Sequence, residues 1–399
     1  MQAPNWSRRQ FLFHVSATGT ALILNPLLPS WTNEGYDPRI AKIVAKTIGI
    51  DTHNHIDVPL SILPSGRPQI DLVGDMKKSG LSAICMTFAV DYQKLTKEGE
   101  AFERFMNGLD ALDEALKSNK IKRAFTIKDI KKAHKKQYPT VIQSVEGGHF
   151  LEGHIERLEI AYKRGLRCLG LLHDNDASVP LGDIYTKPPQ WSGLTDFGVK
   201  VIKECNKLGI LIDLTHCSND AINAALKVTT KPVVITHTGL DTQLGQNEKM
   251  AKMMLPRLIS KEQAKIVADA KGIIGVWRHL SDTPLEYAQN IRAMVDVVGI
   301  DHVCIGTDTK LTTPYRPPQN ADKKPENGSE TDKKPQNPPP PNAQQGPRIG
   351  ERTNLAWKDQ TEGFYFTVVD ALLKTGFNED EIGKIAGDNF CRVFEAATS

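Results

Sequence analysis

The 399-residue chain is 40% hydrophobic and 24% charged, which is enough apolar material for a large core. Its net charge of +3 and pI near 8.4 are too balanced for a nucleic-acid-binding surface, and no nucleic-acid partner is expected. The six cysteines form no C-x-x-C pair, and most lie in or beside apolar runs, so they are expected as core thiols.

Taken from the N-terminus, Ser7-Arg8-Arg9-Gln10-Phe11-Leu12 precedes a short apolar run, 13–28, diluted by Ser, Thr and Gly. A paired arginine ahead of such a run has the form of a twin-arginine export signal, and residues 1–31 are assigned to it. The expected partner is the twin-arginine export machinery, and the expected location is periplasmic, or membrane-anchored if the signal stays uncleaved. The run falls short of the ~20 apolar residues that a membrane span needs.

Residues 40–399 are expected to form one domain. Short β-rich runs fall at 47–53, 82–88, 140–146, 166–172, 210–215, 232–236, 273–277 and 302–306. Helical stretches lie between them at 101–117, 154–164, 195–208, 220–227, 260–270 and 285–298. Thr195 or Ser192 is placed to cap the third of these. Ser260 with Gln263 opens a capping box, and Gly376 stops a helix over 364–375. Eight strands alternating with helices predict an α/β fold, a (β/α)8 TIM barrel. A doubly wound sheet shares that periodicity, and the placement of the polar residues decides for the barrel. The segment 312–350 is rich in Pro, Asn, Gln and Lys and contains Pro338–Pro341. It cannot bury a core and reads as a proline-rich loop leaving the C-terminal mouth.

The polar residues recur at the strand ends. His53 and His55 in Asp51-Thr52-His53-Asn54-His55 face the same way on an extended segment and can chelate one ion. Glu146 precedes Gly147-Gly148 at the end of the third strand, and His173 follows the fourth. His216 ends the fifth, His237 the sixth and Asp308 the eighth. In a parallel barrel these tips meet at one mouth, and His, Glu and Asp are the ligand set of zinc and similar divalent ions.

His53-Asn54, Glu146-Gly147-Gly148, Gly193-Leu194-Thr195-Asp196-Phe197-Gly198, Leu211–Ser218 and Gly387–Val393 together resemble the membrane (renal) dipeptidase family of the amidohydrolase superfamily, in the family's order. The resemblance implies a binuclear metal site with two divalent ions, zinc foremost. Glu146 would bridge them, His53 would bind the first, and His216 and His237 the second. A metal-bridging hydroxide would attack the peptide carbonyl of a small peptide, L-D dipeptides among the substrates. His173 would stabilise the carbonyl oxygen, and Asp308 would carry the proton to the leaving amine. Arg257 would hold the substrate's terminal carboxylate. Members of the family are often homodimers.

The chain departs from the family twice. The usual His-x-Asp of the first strand is His53-x-His55, so His55 takes the place of the aspartate ligand, with Asp57 as another candidate. The Asp-Phe-Asp-Gly run after the eighth strand is Asp308-Thr309-Lys310-Leu311. The competing readings are an amidohydrolase acting on another amide, lactone or ester, and a non-catalytic binding barrel with a degraded metal site.

Overall fold

Short runs of three to six residues become eight parallel strands in a computed structural model of the chain. It describes residues 38–62, 67–92, 94–313, 357 and 363–399. The export-signal assignment at 1–31 and nearly all of the proline-rich loop at 312–350 lie outside the described residues. Among those residues, no helix is long and apolar enough to cross a membrane.

The strands are β1 (Ile50–His55), β2 (Ala83–Thr87), β3 (Thr140–Val145), β4 (Leu166–Gly170), β5 (Leu211–Asp213), β6 (Val234–Thr238), β7 (Ile273–Val276) and β8 (Val303–Ile305). Each pairs in parallel with the next in sequence. Beyond β8 the chain returns to β1, where Thr309–Lys310 pairs with Asn54 and His55 and the Asp308 N–H donates to the His53 carbonyl at 3.1 Å. That seam closes the (β/α)8 barrel and rules out the open doubly wound sheet.

Helices follow the expected positions at Glu100–Ser118, Arg157–Lys163, Asp196–Leu208, Asn219–Val228, Lys261–Asp269, Pro284–Val298 and Phe364–Lys374. Thr195 and not Ser192 is the N-cap, with its hydroxyl accepting from Gly198 N at 3.0 Å. Ser260 accepts from Gln263 N, but the second half of the expected capping box is missing. The Gln263 amide instead reaches Asn223 on the neighbouring helix, because the residue is buried against it. Gly376 stops the helix over Phe364–Lys374 with a φ of 86°.

The end of the barrel away from the mouth is filled by Ile50, Cys85, Ile142, Cys168, Leu211, Val234, Ile273 and Cys304, one residue from each strand. Phe390 and Phe394 of the C-terminal helix Asn389–Thr398 close it from below. All six cysteines are free and buried, as core thiols should be. A plugged floor leaves the opposite end for the side chains that carry chemistry, and they collect there.

Candidate metal centre

Above the floor the barrel becomes polar. Two buried carboxylates tie adjacent strand ends together. Asp51 accepts from Thr307 N at 2.9 Å, Thr307 Oγ1 at 2.6 Å and Asn54 Nδ2 at 2.9 Å. Asp213 accepts from Thr215 N and Oγ1 and from Thr236 N and Oγ1, at 2.6–3.0 Å. Burial pushes the Asp51 carboxyl up to about 6 against the pull of these donors. Thr236 lies in β6 with its carbonyl turned inward, where it accepts from Thr52 Oγ1 of β1 at 2.8 Å. Its carbonyl lies so close to Gly275 and Gly306 that a Cβ on either would fall within 2.0 Å of it, which is why both neighbours are glycine.

Glu146 stands at the centre of the mouth. It follows β3, and Gly147 beside it adopts a φ of 84°, a sharp left-handed turn that glycine takes without strain. Five imidazoles surround its carboxylate. His216 Nε2 lies 2.8 Å from Oε1, with His53 Nε2 at 3.5 Å and His237 Nε2 at 3.7 Å. His173 Nε2 lies 3.2 Å from Oε2, and His55 Nε2 lies 3.8 Å from it. Asp308 faces His55 Nε2 at 3.1 Å and His53 Nε2 at 3.9 Å through Oδ1. All of the expected ligands therefore meet at one place.

The other nitrogen of each ring is held. His53 Nδ1 and His237 Nδ1 both reach Thr236 Oγ1, at 3.2 and 3.1 Å. His55 Nδ1 meets the Tyr92 hydroxyl at 3.2 Å, and His173 Nδ1 meets Asp91 Oδ1 at 2.6 Å. His216 Nδ1 meets the Tyr185 hydroxyl at 2.7 Å. With every Nδ1 engaged, every Nε2 points at the acidic centre. This is the arrangement of metal-binding histidines, whose outer partners fix tautomer and ring orientation.

The spacing also suits ions. His53 Nε2 and His55 Nε2 are 3.2 Å apart. Two nitrogens bound at ~2.0–2.1 Å to one tetrahedral zinc would be separated by about 3.4 Å. Three triplets bring their ligand atoms within 4.8 Å: His53, Glu146 and His237; His53, His55 and Asp308; and Glu146, His173 and His216. Glu146 belongs to two of them, as a bridging ligand would.

The electrostatics match a site built for cations. Burial raises the Glu146 carboxyl, yet the surrounding imidazoles, His173 and His53 foremost, hold it well below the usual range. Burial and the neighbouring His237 keep His53 neutral, with its lone pair available. Burial alone would lower His216, but its bonds to Asp174 and Glu146 outweigh that and take it up to about 10. In the absence of ions, protons on such rings balance the carboxylates, and metal binding would displace them.

His216 and Asp308 also carry left-handed backbones, with φ of 66° and 54°. Each lies three residues past the last residue of its strand and not at its tip, because the chain turns over the barrel rim to bring the side chain inward. A non-glycine residue there costs on the order of 1–3 kcal/mol, and such strain persists where surrounding structure enforces it.

Arg257 lies at the rim, where its Nη2 pairs with Asp174 at 2.8 Å and its guanidinium sits over Tyr185. Beside it a cavity runs down to His216 and His237, lined by Tyr185, Leu258, Ile259 and Trp277. Asp57, the other candidate for the missing aspartate, is not among the converging groups: its carboxylate pairs with Lys310 Nζ at 2.5 Å. Two residues absent from the expected set are present. Asp91 orients His173, and His279 Nε2 lies 2.7 Å from Asp308 Oδ2. Both come from loops after β2 and β7, whose predicted segments end in apolar residues, so neither strand tip signalled them.

The family model for membrane dipeptidase (peptidase family M19) matches residues 38–317. The chain is 25% identical over 205 residues, 48% of its length, to an uncharacterized protein of the pqqA 5′ region of Klebsiella pneumoniae, covering 72% of that protein. Among solved structures, an amidohydrolase from Pseudomonas aeruginosa superposes with a TM-score of 0.67 at 21% identity. The match covers 90% of this chain and 99% of the other. A metallo peptidase from Rhodobacter sphaeroides, liganded with a phosphinate mimic of the dipeptide L-Ala-D-Ala, superposes with a TM-score of 0.61 at 16% identity. Here the coverage is 88% and 99%. At these identities the structural likenesses show the fold alone.

Proposed function

The chain belongs to the membrane dipeptidase family, and from that premise we propose that it hydrolyses the peptide bond of short peptides with two divalent ions, zinc foremost. The observation that carries this reading is the set of five imidazoles, each fixed through Nδ1 and directed by Nε2 at Glu146 or Asp308. Glu146 would bridge the two ions. His53 and His55 would complete the first position, and His216 and His237 the second. His55 then stands in for the family's aspartate, at the cost of one negative charge.

When bound, the ions lower the pKa of water and offset the charge that develops on the scissile carbonyl. The chain's own groups do the rest. His173, steadied by Asp91, points its Nε2 toward the centre and would donate to the carbonyl oxygen as it becomes anionic. Asp308 would accept a proton from the attacking water and return it to the leaving amine. Arg257 would hold the terminal carboxylate at the rim, exchanging its bond to Asp174 for one to substrate. The phosphinate dipeptide mimic bound by the Rhodobacter sphaeroides protein makes L-D dipeptides the first substrates to try.

The test is hydrolysis of a panel of L-L and L-D dipeptides, with metal counted in the same sample and Glu146→Gln as control. Turnover that requires two ions and vanishes in the variant is the expected result. Two bound ions without turnover would move the substrate to another amide, lactone or ester. Neither ions nor turnover would leave a binding barrel.

A further inference from the structure

We infer that His279 is the positioning residue of Asp308, holding one carboxylate oxygen so that the other is presented to the metal centre. The inference rests on the metallohydrolase reading above.

The backbone sets up the pair. Beyond β7 the Trp277 N–H donates to the Thr238 carbonyl at 2.8 Å, and the Arg278 N–H donates to the Thr307 carbonyl at 3.2 Å. This second bond ties the β7 loop to the residue before Asp308 and brings positions 279 and 308 side by side. Ser281 N and Oγ both return to the Arg278 carbonyl and lock the turn. Trp277 stands edge-on to the His279 ring, 5.1 Å between centroids, and limits its rotation. His279 Nε2 then meets Asp308 Oδ2 at 2.7 Å, while Oδ1 faces His55 Nε2 at 3.1 Å. The two oxygens are thus divided between two imidazoles.

His279 is 7% exposed, and its Nδ1 has no hydrogen-bond partner among the described residues. Burying a ring nitrogen unpaired costs on the order of 1–3 kcal/mol. A histidine kept for stability alone would pair both nitrogens, whereas this one makes a single bond, to a site carboxylate. An aspartate in a strained left-handed turn needs such a hold more than one on a strand would.

The experiment compares His279→Leu and His279→Gln in the zinc-loaded protein. Leu occupies the space without a donor, and Gln restores an N–H at similar reach. Two quantities are read: kcat and KM on a dipeptide that the wild type cleaves, and zinc affinity by chelator competition. Outer-shell partners of this kind are worth ~10–100-fold in metal affinity or activity. The Leu variant should lose about that factor in kcat with KM within about twofold, should bind one of its two ions more weakly, and should be largely rescued by Gln. In an Asp308→Asn background, His279→Leu should add little further loss. Equal impairment in Leu and Gln, or an undiminished effect in the Asp308→Asn background, overturns the inference. If the wild type cleaves no dipeptide, the zinc affinities decide alone: weakening in Leu with recovery in Gln supports the assignment, and unchanged affinity refutes it.

Discussion

Replacing Thr236 by Val would remove a single hydroxyl on which both proposed metal positions depend. That oxygen donates to Asp213 Oδ2 at 2.6 Å and accepts from His53 Nδ1 at 3.2 Å and His237 Nδ1 at 3.1 Å. One donor and two acceptor sites are all that a hydroxyl has, so the group is fully used. Val matches the shape of Thr, and no cavity complicates the result. Two buried imidazole N–H groups lose their acceptor, each at ~1–3 kcal/mol, while Asp213 keeps three of its four bonds. Expressed as metal affinity, loss of an outer-shell partner is worth ~10–100-fold, about 1.4–2.8 kcal/mol. Because His53 and His237 serve different ions in the proposed scheme, both affinities should fall. The assay is competition with a chromogenic zinc chelator, with far-ultraviolet circular dichroism confirming the fold and Thr236→Ser as the control that keeps the hydroxyl. A Val variant that binds both ions within about threefold of wild type would refute the reasoning and mean that packing alone orients the two rings.

Asp91→Asn keeps the size of the residue but removes the charge that faces His173 at 2.6 Å. kcat should fall on the order of 10²-fold with two ions still bound, as when an oxyanion-stabilising donor is lost. Loss of metal instead would place Asp91 in ion binding. A second expectation concerns the metal-free protein. His216 is raised from its usual range to about 10 in the folded state, despite burial, by Asp174 and Glu146. A raised histidine stabilises the fold fully below its unfolded value of ~6.5, and that contribution disappears as pH climbs toward 10. At most it amounts to on the order of 5 kcal/mol. The Tm of the metal-free form should therefore fall between pH 7 and 10, while that of the zinc-loaded form, whose rings are already neutral, should hold. Parallel curves for the two forms would contradict this.

The barrel and the residues that gather at its mouth were legible because the same short motif repeats. Strand after strand runs apolar and then ends on His, Glu or Asp, and this can be read without knowing the contacts. What stayed hidden follows a different rule. His279 escaped notice because the β7 segment ends on Trp277, although, like the expected His173, His216 and Asp308, it lies three residues past the last strand residue. Tyr92, Tyr185 and Asp91 fix rings that are distant in sequence, and no periodicity marks such a partner. Thr236 could be seen as a strand residue, but its position between two imidazoles depends on its carbonyl lying against Gly275 and Gly306. The helix Leu72–Ser79 was likewise missed. It is short, with an N-cap from Asp71 and a stop at Gly80, and glycine and lysines dilute its apolar face.

The seam between β8 and β1 joins residues more than 250 positions apart in the chain, as in the pairing of Asn54 with Thr309. Asp308 lies on that seam. A folding intermediate with seven strands paired would already present Glu146, His173, His216 and His237, yet it would lack the carboxylate opposite His53 and His55. Ring closure is thus the step that sets Asp308 opposite His53 and His55, and it closes a loop of more than 250 residues. An ion held there would act as a latch: it prefers the fully wound chain and so slows the opening of the seam.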